Sequence, residues 1–190
     1  MTVILGIQRT NNHAIMLGDS RTVSGERPYA HSNQPKIVDR RGHLIGAAGG
    51  GASTDFVTRQ WEIPHYRGNV TPYEHMVTLF VPSLRHHLAD VAPMKEGEYD
   101  LLMLVAVRGQ LFLIENDLTV LQDERGVYAI GSGGSIALGA YAAGATPMEA
   151  MEIAVEYDVY CGHPIGQYEQ RWIDDRHHDG STVVAFNRSK

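Results

Sequence analysis

One cysteine, Cys161, occurs in 190 residues, so no disulfide can close within the chain and a reducing compartment fits. Lysine is nearly as scarce: Lys36, Lys95 and Lys190 are the only three among 16 basic residues, so a lysine in a motif position stands out. No apolar run approaches the ~20 residues that cross a bilayer. The N-terminus lacks the basic region and long apolar stretch of a signal peptide. Together these predict a cytoplasmic protein with no membrane partner. Basic residues are outnumbered, and the net charge of −6 argues against nucleic acid. No low-complexity stretch or linker interrupts the chain, so a single domain over residues 1–190 is expected, long enough to bury a core.

What is present begins at the second residue. Thr2 follows Met1 and opens the β-rich run Thr2-Val3-Ile4-Leu5-Gly6-Ile7. Once Met1 is removed, Thr2 carries a hydroxyl nucleophile and a free α-amine, whose ordinary pKa of about 7.7–8.0 suits a general base at neutral pH. A threonine activated by its own amine is a known form of nucleophilic catalysis. With Met1 retained, the amine is locked in a peptide bond and that chemistry is lost. A Met-Thr start is common, and most such threonines are only strand residues, so the rest of the chain has to carry the argument.

The pattern predicts strands over 2–8 and 14–19, then a polar loop over 24–35. A hairpin follows over 36–39 and 43–48, ending at Gly49-Gly50-Gly51. Apolar residues at helical spacing predict a helix over 52–66. Thr71-Pro72-Tyr73-Glu74 starts another, with Pro82 as a kink. Strands follow over 99–107, 110–115, 119–121 and 127–130, then helices over 136–143 and 147–160, then a last strand over 181–187. Strands, two helices, strands, two helices, strand is not a parallel βαβ alternation. It predicts an α/β (α+β) fold of four layers, αββα, with two antiparallel sheets between helices.

Five segments in this order resemble proteasome β-type subunits of the N-terminal-nucleophile (Ntn) hydrolases, most closely the bacterial proteasome-like peptidases. They are Gly18-Asp19-Ser20-Arg21, Lys36 heading a strand, Ala48-Gly49-Gly50-Gly51-Ala52-Ser53-Thr54-Asp55, Ala129-Ile130-Gly131-Ser132-Gly133-Gly134, and Asp158-Val159-Tyr160-Cys161-Gly162. The resemblance covers nearly the whole chain. Each segment alone is weak, because Gly-rich loops are common.

The resemblance implies Thr2 as nucleophile and Asp19 with Lys36 as the charged pair beside it. An ammonium there favours the deprotonated nucleophile. It implies Gly51 as oxyanion donor with Gly50 as its neighbour, glycine letting a substrate backbone come close. Ser132 and Asp158 match a hydrogen-bond network around the Thr2 amine. Cys161 stands where the family commonly has Ser, and a thiol is a weaker donor and acceptor than a hydroxyl. Thr22 falls where the family clamps an extended peptide by its backbone, a sequence-tolerant mode. Arg21, Gly50 and Ala52 join it as substrate contacts, with a specificity pocket near Arg21, Ala48 and Ser53. The interval from Thr2 to Asp19 is one residue longer than usual, which the Thr10–His13 turn can absorb. Each residue also has a plain structural reading: Asp19 a turn residue, Lys36 a solvated surface lysine, Gly49–Gly51 a tight connection, Cys161 a small buried residue.

Metal chemistry finds little support. His86-His87 and Asp174-Asp175-Arg176-His177-His178-Asp179 are His-rich, but adjacent helical residues do not share a face, and no HExxH pattern occurs. A weak cation site near Asp158 or Asp179 is the most this offers, and neither metal nor cofactor is expected.

Three functions follow. The first is a threonine endopeptidase of a homo-oligomeric, self-compartmentalised ring, acting on unfolded protein or peptide. It would work with a separate ATPase unfoldase, since the chain has no ATPase signature. The second is a non-catalytic structural subunit with the same fold and Met1 retained. The third is a small-molecule amidase.

Overall fold

The computed structural model describes residues 2–24, 27–30, 35–92, 94–173 and 181–188. Two five-stranded antiparallel sheets form the centre. The first has the order β10-β1-β2-β11-β12, from Val127–Ile130, Ile4–Thr10, His13–Gly18, Ile165–Trp172 and Ser181–Arg188. The second has the order β5-β6-β7-β8-β9, from Ile37–Arg40, His43–Gly49, Leu101–Val107, Gln110–Ile114 and Val120–Leu121. A hairpin of β3 (Arg21–Ser24) and β4 (Arg27–Ala30) stands beside them.

The strands are apolar on both faces, and the structure shows why. Along β1, Ile4 faces the other sheet, where it packs with Met16, Ile37, Leu44 and Leu104. Val3, Leu5 and Ile7 face the opposite way, onto Ala137, Ala150, Met151 and Ala154 of helices α4 (Gly134–Ala142) and α5 (Pro147–Tyr157). Along β7, Leu104 and Ala106 point between the sheets while Met103, Val105 and Val107 point outward. These outer residues meet Phe56, Met76, Phe80, Leu84 and Leu88 of α1 (Gly51–Asp55), α2 (Pro72–His75), α3 (Val81–Leu88) and the π-helical turns Phe56–Gln60 and Met76–Phe80. A strand with partners on both faces needs no polar side, so the four-layer αββα arrangement read from the sequence is the one observed.

Several element readings change. Residues 24–35 were expected to be loop, but β3 and β4 pair there with Thr22 opposite Tyr29. The helix expected over 52–66 ends at Gln60, and Trp61 and Ile63 then bury in extended chain. The last helix ends at Tyr157, because Asp158 leaves helical geometry at φ −105° and ψ 110°. Strand β11 was missed: Gln-, Glu- and Arg-rich Ile165–Trp172 has no apolar alternation, yet it pairs with both β2 and β12. Pro82 does not end the helix: helical geometry continues through Phe80 into α3, with the wider π-helical turn Met76–Phe80 just before the proline. Among the described residues no group of His, Cys, Asp or Glu is arranged to hold a metal. The 174–179 cluster lies outside the described residues.

Under the α2–α3 layer, two histidines share a buried hydrogen bond. His43 Nε2 and His75 Nε2 are 3.0 Å apart, and both residues are fully buried. Only one proton fits between the two Nε2 atoms, and burial disfavours a charge on either ring. Burial, reinforced by the field of His75, pulls His43 down to about 4, and burial also lowers His75. The unfolded chain titrates its histidines near 6.5. Between about pH 6.5 and 4 the unfolded state therefore binds more protons, and stability rises with pH. The contribution is complete above about pH 6.5 and is lost as the pH falls toward 4. The expected loss is on the order of 3 kcal/mol for His43. Thermal melts from pH 7.5 to 4.5 check it: the melting temperature falls, and His43→Gln flattens part of the decline. An equally steep decline in that variant would show that the pair does not carry it.

Candidate active site

Strands β1 and β2 run antiparallel with Ile4 opposite Gly18, so their ends place Thr2 and Asp19 side by side. Asp19 is a hub. Its side chain is fully buried, and Oδ1 accepts from the Val3 amide at 2.9 Å and from Lys36 Nζ at 2.7 Å. Its Oδ2 accepts from the amides of Arg21 and Gly162, both at 3.1 Å. Four donors on one carboxylate hold the strand end, the β3 start and the loop after α5 together. Lys36 reaches this carboxylate from the chain just before β5, its side chain only 12% exposed. It is therefore not a solvated surface lysine.

Thr2 is 4% exposed, enclosed by the loop between β10 and α4. Its carbonyl accepts from the Gly133 amide at 3.3 Å and from Ser132 Oγ at 3.4 Å, and its own N lies 3.4 Å from Ser132 Oγ. Gly131 has φ +88°, and a Cβ there would fall on the Thr2 carbonyl. Only glycine lets this loop close over the strand so tightly.

Asp158 caps the end of α5 and organises the far side of that loop. Its Oδ1 accepts from the Tyr160 amide at 2.9 Å and its Oδ2 from Cys161 Sγ at 3.2 Å. Burial pushes its carboxyl up, but hydrogen bonds from Ser132, Tyr160 and Cys161 outweigh burial and hold it below the ordinary range. Cys161 is fully buried and stays a thiol: burial first, then the negative charges of Asp19 and Asp158, push it up to about 12. A proton that stays on sulfur is available to donate to Asp158.

A cleft of about 230 Å³ opens beside Thr2. Thr22, Lys36, Ala48, Gly49 and Gly51 form its near walls, and Thr58, Asp55 and Arg59 its far end. Thr2, Asp19, Lys36, Gly51, Ser132, Asp158 and Cys161 therefore gather around one point, with Thr22 on the cleft wall. Four expected contacts are placed elsewhere. Arg21 Nη1 donates to the Val159 carbonyl at 3.2 Å, with the guanidinium packed over Gly162. Gly50 donates its amide to the Asp100 carbonyl at 2.9 Å, so that N–H is not free for an oxyanion. Ala52 is exposed and Ser53 is buried, and neither lines the cleft. Sequence reasoning named Gly49 only as part of the Gly49–Gly51 connection; its φ of +134° turns the chain out of β6 at the cleft wall. Sequence reasoning overlooked Asp55 and Arg59, an ion pair at 3.8 Å. Their spacing of four after Gly51 was the available signal, since residues 51, 55 and 59 recur once per helical turn.

No family model matches the chain, and no curated protein does. Solved structures do. The chain resembles Thiobacillus denitrificans BPH at 19% identity and a TM-score of 0.69, over 90% of this chain and 100% of that one. A structure of BPH in complex with epoxomicin superimposes equally well, at 16% identity and a TM-score of 0.69, covering 90% and 99% of the two chains. Eukaryotic HslV from Trypanosoma brucei matches at 23% identity and a TM-score of 0.63, over 88% of this chain and 98% of that one. What is shared at these identities is the fold.

Proposed function

Starting from the Ntn-hydrolase fold of proteasome-type subunits, we propose that this chain is an N-terminal threonine peptidase. The observation that carries the proposal is the convergence on Thr2 of the Lys36–Asp19 pair at 2.7 Å and the Ser132–Asp158–Cys161 network. Such a convergence is more than a strand end needs. Once whatever precedes Thr2 is cleaved, its nitrogen becomes an amine facing Ser132. That amine takes the proton from Thr2 Oγ1 as the oxygen attacks a peptide carbonyl. The Lys36 ammonium favours the anionic nucleophile, and Asp19 keeps Lys36 aimed. Backbone amides of the Gly49–Gly51 segment other than that of Gly50 are the candidates for the developing oxyanion. The amine half of the substrate leaves with the proton, and water then hydrolyses the threonyl ester and restores Oγ1.

The substrate is an extended peptide laid along Thr22 on β3, with one side chain in the cleft. Sheltering such a nucleophile inside a closed ring of identical subunits fits the fold, and an unfolding ATPase would be a separate protein.

Intact mass of protein purified without a tag, read beside peptide turnover, tests the proposal. A mass starting at Thr2 together with hydrolysis of unstructured peptides is the expected result. A free Thr2 with no turnover of peptides would overturn it. A mass retaining Met1 in active protein would overturn the amine's role.

A further inference from the structure

The opposite end of the sandwich holds a second cavity that peptide hydrolysis does not use. In the β6–β7 register, His43 pairs with Val107 and Gly49 with Leu101. The turns beyond His43 and Val107 therefore lie about 20 Å from the catalytic end, at ~3.3 Å per residue. Both turns read Arg-Gly: Arg41-Gly42 and Arg108-Gly109. Both arginines sit at positive φ, 51° and 50°. That conformation disfavours a long side chain and suits Asn or Gly. The two arginines line one cavity of about 260 Å³, with His65, Tyr66 and Trp172.

The Arg108 guanidinium lies between two rings, 3.9 Å from the Trp172 centroid and 4.6 Å from that of Tyr66. Stacking covers its faces and leaves only the edge to bond. Nε on that edge is buried and has no partner, and no described carboxylate pairs with this cation. Gly68 clears the same edge, since a Cβ there would stand 3.1 Å from Nη2. Arg41 is held in place by the Ile63 carbonyl at 3.0 Å and by Glu62 at 2.5 Å. No acidic residue lines the cavity. A buried donor without an acceptor is costly unless a ligand supplies one.

We propose that this cavity binds a small oxyanion, a carboxylate or a phosphate, held in-plane by the edge of Arg108 with Arg41 and His65 around it. The geometry matches fork recognition of planar oxygen pairs.

The test titrates the protein with inorganic phosphate and, separately, with acetate. Chloride keeps the ionic strength constant, so that screening does not mimic binding. Tryptophan emission is the readout: Trp172 stacks on the binding cation, while Trp61, the other tryptophan, is buried under α3. A saturable change is expected, with affinity falling at least tenfold in Arg108→Gln of unchanged circular dichroism. Saturation by phosphate alone assigns the site to phosphoryl groups, and saturation by acetate extends it to carboxylates. Saturation by neither, or the same midpoint in Arg108→Gln, overturns the proposal. Should that variant not fold, Arg41→Gln replaces it, with a severalfold loss expected and an unchanged midpoint again overturning.

Discussion

Thr2→Ala abolishes peptide turnover, by about 10⁴-fold or more, the scale on which losing a covalent nucleophile acts. The fold stays intact. The substitution removes a hydroxyl and a methyl at the start of β1, where the backbone carries the contacts: the Thr2 carbonyl still accepts from Gly133, and the Thr2 nitrogen still faces Ser132. Melting temperature and oligomeric state should therefore match the parent protein. Peptide assays under saturating substrate, with sedimentation on the same samples, check both halves. Residual turnover within tenfold of the parent would remove Thr2 from the reaction. Loss of assembly would give it a structural part instead.

Lys36→Ala acts on rate and stability together. Removing one preorganised charge beside a reacting oxygen typically lowers turnover by about 10²–10³-fold. The same change strips Asp19 of the side-chain cation at 2.7 Å while the carboxylate stays fully buried. Breaking a buried pair on one side destabilises by roughly 3 kcal/mol or more, although the three amides on Asp19 soften that penalty. In a chain of 190 residues this corresponds to a melting-temperature drop of about 6–12 °C. Assays well below the lowered midpoint separate the two effects. A folded variant that turns over peptide at the parent rate would sink the assignment of Lys36. A variant of unchanged melting temperature would mean that the pair adds nothing to stability.

The two predictions differ in kind because the two residues are held differently. The proposed role of Thr2 is chemical, at a strand end whose packing belongs to Val3, Ile4 and Leu5. Lys36 is one half of the arrangement that fastens β1, β3 and the loop after α5 at Asp19. The segment motifs were legible because each is a local turn or strand end with its own residue requirement. Gly131 shows the limit of this: the Gly131-Ser132-Gly133-Gly134 run reads as the lead into a helix, and only the structure shows its close approach to the Thr2 carbonyl. Strand β11 was illegible for the opposite reason. Its Glu, Gln and Arg residues have no periodicity, and its strand state comes from the partners β2 and β12 on either side. Likewise the hairpin over β3 and β4 is polar and short, and pairing alone defines it.

By itself the sequence determined the layer order, because continuous apolar strands and amphipathic helices have only one economical way to bury both faces. It also determined which residue types could react: one threonine next to the start, one lysine at a strand head, one cysteine in a loop. Tertiary structure decided what those residues face. Four donors converge on Asp19 from segments 16 to 143 positions away, or adjacent to it in β3. Arg21 turns to the Val159 carbonyl, Gly50 spends its amide on Asp100, and Arg59 reaches the cleft. Arg108 meets Trp172 only because both sheets end together. Such choices depend on distances between chain-remote atoms, and a local pattern contains no such distances.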